Sequence, residues 1–116
     1  MIIRQSTVPV SDLEGLGIRD YTAGHATSSS FAVIDVEPGV AHQVAWSQRS
    51  DKYYYVVAGT IEFVDSGQVH VLSSGDFCLV AQGERFSYRN VSAEPAQLCL
   101  FHTPSFDLSA EVFEGR

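Results

Sequence analysis

Four side chains in this sequence have the types and spacing for proton-transfer chemistry: Lys52, Tyr54, Glu84 and Tyr88. Lys52 and Tyr54 sit two apart in Lys52-Tyr53-Tyr54-Tyr55-Val56-Val57, a run rich in the aromatic and β-branched residues that favour a strand. Alternation along a strand puts Lys52 and Tyr54 on one face and Tyr53 and Tyr55 on the other. An amine in an apolar space loses hydration, which disfavours its charged form and makes it a base or a nucleophile. Phenols such as Tyr54 and Tyr88 donate or relay protons, and a carboxyl such as Glu84 pairs with the amine or acts as an acid. Each also has an ordinary structural role, as an ion pair or as a core tyrosine with a satisfied hydroxyl.

The elements that must position these groups are short strands. Ile2 to Val8 alternates weakly and ends at Pro9, as an edge strand would. Ser11-Asp12-Leu13-Glu14 has capping-box spacing, but Gly15 and Gly17 limit it to one helical turn. Phe31 to Glu37, Val40 to Trp46, Lys52 to Val57, Thr60 to Val64, Gln68 to Leu72, Phe77 to Val80, Arg85 to Asn90 and Ala96 to His102 read as strands separated by turn residues. Asp107 is placed to cap a short terminal helix. Strands at this spacing, with no helix long enough to cover a sheet, make an all-β sandwich or barrel.

Composition narrows the partners. The 116 residues suffice for one domain with one core, and 45% hydrophobic with 18% charged residues describes a globular chain. Fourteen acids against seven Lys and Arg give a formal charge of −7, which argues against nucleic acid as partner. No apolar run approaches the roughly 18 residues that cross a bilayer, and no secretory signal is visible at Met1-Ile2-Ile3-Arg4. The expectation is a cytoplasmic protein without a membrane partner. Cys78 and Cys99, lacking a CxxC pattern, read as buried thiols.

Two glycine-framed stretches carry a family resemblance. Gly39 and Gly59 bracket Val40 to Ala58, and Gly75, Gly83 and Asn90 mark Gly75 to Asn90, with 15 residues between Gly59 and Gly75. In register and at this separation, the two stretches resemble the paired motifs of the cupin family. The resemblance implies a double-stranded β-helix, a jelly-roll barrel with an open mouth, spanning residues 1–116 as one cupin domain, and pairing of protomers into a homodimer. It also marks four places where cupins hold a metal, and here those places carry Ala45, Ser47, Lys52 and Phe86. A methyl and a phenyl group have no lone pair to donate, and a charged lysine repels a cation. No metal and no other cofactor is therefore expected.

With the barrel assumed, parity puts Ala45, Ser47, Lys52, Tyr54, Val56, Phe86 and Tyr88 in the lumen, with Gln43 and Glu84 nearer its mouth. His42 has the opposite parity to Ala45 and Ser47, so it should face outward, as should Trp46. The expected function is metal-independent binding of a small molecule in the lumen, with proton-transfer chemistry of the isomerase, epimerase, cyclase or lyase type. Lys52, Tyr54, Tyr88 and Glu84 are the expected catalytic groups, and Gln43, Ser47 and Phe86 the ligand-binding ones. The alternatives are a non-catalytic binding or sensing module and a metalloprotein with relocated ligands, using His42 or Gln43 with Tyr54, Glu84 or His102. His25, His70 and His102 otherwise read as solvated or structural histidines.

Overall fold

The computed structural model describes residues 1–115 and contains eleven strands among them: β1 (Ser11–Leu13), β2 (Leu16–Asp20), β3 (Ser30–Val36), β4 (Ala41–Ser47), β5 (Asp51–Ala58), β6 (Thr60–Asp65), β7 (Gln68–Ser73), β8 (Phe77–Val80), β9 (Phe86–Arg89), β10 (Ala96–Thr103) and β11 (Glu111–Phe113). They form two antiparallel sheets, ordered β1-β2-β3-β10-β5-β8 and β11-β4-β9-β6-β7, which face each other as a jelly roll. The expected all-β barrel is the observed one.

The alternation read from sequence is visible as burial. Along β3, Ser30, Ala32, Ile34 and Val36 are buried and the residues between them are not, and β10 repeats this from Ala96 to His102. The inward side chains meet in a core built on Ile34, Val36, Val56, Ile61, Phe63 and Leu98, each at most 2% exposed. Each such burial contributes about 1.5–3 kcal/mol. Tyr54, Phe63, Phe86 and Tyr88 pack ring on ring across the two sheets at centroid separations of 5.2–6.5 Å. Asn90 is 1% exposed and fully used: its amide donates to Val36 O and Glu94 O, and its carbonyl accepts from Ser92.

Gly59 is required at its turn. It has φ 80°, and a Cβ there would lie 2.6 Å from Pro95 O and 2.8 Å from Ala96 Cα.

Three local expectations change. The segment before Pro9 forms a 3-10 turn at Gln5–Thr7 and no strand. Ser11 begins a hairpin, because Glu14 and Gly15 both adopt positive φ (51° and 97°), the conformation of a two-residue hairpin turn. Asp107 does cap, accepting from Ser109 N, but the helix it opens is one 3-10 turn, Leu108–Ala110, leading into the unforeseen β11.

Candidate functional site

One cavity of about 270 Å³ lies between the sheets, and Asp20, Ser30, Phe106 and Leu108, from β2, β3 and the chain after β10, line both it and an adjoining polar groove. Apolar side chains make most of its wall, and Lys52, Tyr54, Tyr88, His42, His102, Glu111, Asp20 and Ser30 supply its polar groups.

His42 reaches this cavity because β4 is bulged. Ala45 pairs with Phe86, yet His42, and not Gln43, pairs with Tyr88. The extra residue reverses the parity of the strand. His42 therefore points inward, its ring 5.0 Å from Phe86, 5.2 Å from Tyr88 and 6.0 Å from Phe113. This corrects the expectation that it faces outward, whereas Trp46, beyond the bulge, does face out and lies under the Arg85 guanidinium. Nδ1 of His42 is 2.7 Å from Gln43 O. A carbonyl only accepts, so Nδ1 holds the proton and Nε2 keeps a free lone pair. Burial lowers this imidazole to about 4, with the Gln43 carbonyl opposing, so it is neutral at physiological pH.

Lys52 enters from β5 and is 3% exposed. Its Nζ donates to Glu111 Oε1 and, at 3.0 Å, to His102 Nε2, and stands 5.2 Å over the Phe86 ring. Because a lysine ammonium only donates, His102 is the neutral tautomer protonated at Nδ1. Burial lowers both Lys52 and His102, and Glu111 opposes this in each. Burial would raise Glu111, but the contacts with His102, Lys52 and Ser47 outweigh it and hold the carboxyl at about 2. The result is a buried ammonium–carboxylate pair with a neutral histidine beside it. Among the described residues, two of the three ammonium N–H groups have acceptors, leaving one for a ligand.

Tyr54 and Tyr88 are fully buried at the cavity wall, and burial keeps both phenols protonated well above their ordinary range. Among the described residues, the Tyr88 hydroxyl has no hydrogen-bond partner.

Of the residues expected from sequence, Lys52, Tyr54 and Tyr88 thus converge on one cavity. Glu84 does not join them. It lies on the surface, accepting from Ser66 Oγ and Ala81 N, and the carboxylate that reaches Lys52 is Glu111. Ser47 is buried, its oxygen accepting from Arg49 N and Ser50 N in the turn and its hydroxyl set against Glu111. Phe86 packs beneath the Lys52 ammonium, and Gln43 lies at the bulge outside the cavity lining. The groups missed were His42, hidden by the bulge, and Glu111, which sits 59 residues from its partner. His102, read as structural, is inward by simple parity from Leu98 and Leu100.

The residues at the four metal places do not fit a metal: a methyl group, a hydroxyl engaged by two backbone N–H groups and Glu111, an ammonium and a phenyl ring. Among the described residues, no group of three or more His, Cys, Asp or Glu is placed to hold one. The relocated set of His42 and His102 does not replace them, since His102 Nε2 already accepts from Lys52.

A family model described as Cupin domain matches residues 32–102. Solved structures similar to this chain include Pac13, described as a unique nucleoside dehydratase, with 21% identity, a TM-score of 0.85 and coverage of 97% of this chain and 89% of that one. A histidine-to-glutamine variant of Streptomyces PAC13 with uridine aligns at 21% identity and a TM-score of 0.84, covering 97% and 88%. A predicted oxalate decarboxylase from Thermotoga maritima aligns at 18% identity and a TM-score of 0.80, covering 90% and 99%. No curated protein matches the sequence.

Proposed function

The chain belongs to the cupin family, and on that premise we propose that it is a metal-independent lyase of the dehydratase type, removing water from a small carbonyl-bearing molecule held in the lumen. The observation that carries the reading is the pairing, in one cavity, of a neutral imidazole with a free Nε2 and a buried ammonium with an uncommitted N–H. Elimination next to a carbonyl needs a base for the α-proton, a positive group for the charge that grows on the carbonyl oxygen, and an acid for the departing hydroxyl.

His42 Nε2 takes the α-proton, and the electron pair released forms the carbon–carbon double bond as the β C–O bond breaks. Lys52 donates to the carbonyl oxygen while charge resides there. The departing hydroxide takes a proton from Tyr88, whose hydroxyl has no partner among the described residues, and leaves as water. The imidazolium then returns its proton to the phenolate, which restores both groups. Glu111 and His102 position the ammonium and keep it charged. The resemblance to a nucleoside dehydratase supports the reaction class, and the ligand contacts are those of this chain's own residues.

The test is incubation with a panel of carbonyl-bearing nucleosides and sugars in deuterated water, followed by mass spectrometry. Loss of one water from at least one member, abolished in His42→Asn, is the expected result. Asparagine retains a donor toward Gln43 O and lacks Nε2, so it removes the base while keeping the strand. Turnover that persists in His42→Asn at the wild-type rate overturns the assignment.

A further inference from the structure

We infer that the cavity selects an uncharged, hydroxyl-bearing ligand, and that Asp20 at its mouth is the residue that accepts ligand hydroxyls and turns anions away. This rests on the lumen being the substrate site, as proposed above, and goes beyond it by naming the class of molecule admitted.

The charge balance of the lining carries the inference. Lys52 and Glu111 cancel as a buried pair. Asp20 remains, and among the described residues no cation bonds to it. Arg19, its neighbour in sequence, is committed to Asp35 at 2.8 Å. Asp20 also lines the polar groove just outside, together with Arg49, which donates to Ser105 O at 2.9 Å, and Asp107, so groove and cavity meet at Asp20. Arg49 and Asp107 are one cation and one anion of the groove, and neither belongs to the cavity lining, where Asp20 is the one charge left over once Lys52 and Glu111 cancel. A phosphate or carboxylate that moves past the groove into so small a cavity leaves Arg49 behind and keeps Asp20 beside it, and like charges in a partly desolvated space repel strongly.

Two further observations specify hydroxyl groups. Asp20 is held by its Oδ1, which accepts from Thr22 N at 3.0 Å and Thr22 Oγ1 at 2.9 Å, so its carboxylate is oriented with Oδ2 left to accept. Deeper in, the buried Tyr88 hydroxyl lacks a partner, and a buried polar group without one costs about 1–3 kcal/mol until something satisfies it. A neutral polyol or nucleoside can meet both. The apolar wall between them, from Ile18, Ala32, Ile34 and Leu100, suits a flat ring or the C–H face of a sugar.

The experiment is isothermal titration calorimetry on the full chain with two matched pairs of probes: uridine with uridine 5′-monophosphate, and ribose with ribose 5-phosphate. The expected result is that at least one neutral probe binds and its phosphorylated partner binds about tenfold more weakly or worse. Asp20→Asn should bring the pair to within about threefold, mainly by improving the anion, while Asp20→Glu keeps the preference. Asparagine still accepts from Thr22, so the turn survives. Equal or tighter binding of the phosphorylated probe, an unchanged ratio in Asp20→Asn, or no binding by any of the four overturns the inference. A charge preference without turnover sinks the proposed chemistry and leaves the selectivity. Turnover of an anionic substrate does the reverse.

Discussion

Removing either partner of the Lys52–Glu111 pair should destabilise the fold strongly, and the two losses should depend on pH with opposite sign. Both side chains are almost wholly buried, 4% and 6% exposed. Breaking such a pair from one side leaves an uncompensated buried charge, which costs about 3–5 kcal/mol. For a domain of this size that corresponds to a fall in melting temperature of about 10–20 °C. In Glu111→Gln the amine loses the carboxylate that opposes its burial, so its folded pKa drops further below the unfolded value of 10.5. The unfolded chain then binds more protons, and the cost shrinks as pH rises. In Lys52→Met the carboxylate has His102 as its neighbour, with Nε2 at 3.9 Å. Its imidazole is pulled upward, the folded chain binds more protons, and the cost shrinks as pH falls. The double variant Lys52→Met/Glu111→Gln leaves no orphan charge, so its loss should be less than the sum of the singles by about 2 kcal/mol or more. Urea melts of the four proteins at pH 6 and pH 8 measure all of this. Additive losses, or singles whose costs move with pH in the same direction, would refute the buried ion pair as the organiser of the site.

The remaining predictions concern single groups. Acid should weaken the fold in two stages. His42 falls from 6.5 to about 4 on folding, so stability is lost as pH drops from 6.5 toward 4, by about 3 kcal/mol at most. Glu111 falls from 4.5 to about 2, which extends the loss from pH 4.5 down toward 2; a chemical-denaturation series across pH 2–7 resolves the two stages. Tyr88→Phe removes a hydroxyl that has no partner among the described residues, so the melting temperature should hold or rise while turnover falls; a loss of stability would mean the hydroxyl is satisfied. Gly59→Ala drives a methyl to within 2.6–2.8 Å of Pro95 O and Ala96 at positive φ, and should cost more than about 2 kcal/mol, read as a lower urea midpoint.

The fold was legible because it depends on spacing. Gly39, Gly59, Gly75 and Gly83 all adopt positive φ at the turns where the two motifs place them, and strands of alternating burial fill the intervals. Lys52, Tyr54 and Tyr88 were legible for the same reason: they sit on regular stretches of β5 and β9, where parity holds. His42 was not, because a bulge is a local change of count that no apolar pattern records. Glu111 was not, because it lies on a three-residue strand too short to show a period, brought beside Ser47 only by pairing with β4. Glu84 was misplaced since it follows the turn at Gly83, before β9 begins, where alternation has no meaning.

The irregularity in β4 has a consequence for how such a barrel changes its chemistry. Position 42 lies three places from Ala45, so at the present chain length a regular ladder with β9 would set its imidazole outside, opposite Arg89, and the bulge alone keeps it in the lumen. Deleting Val44 would put His42 two places from Ala45 and still opposite Tyr88, so a straight strand one residue shorter keeps the base where it is. Ironing out the bulge at constant length, by contrast, expels the base with no residue exchanged for another.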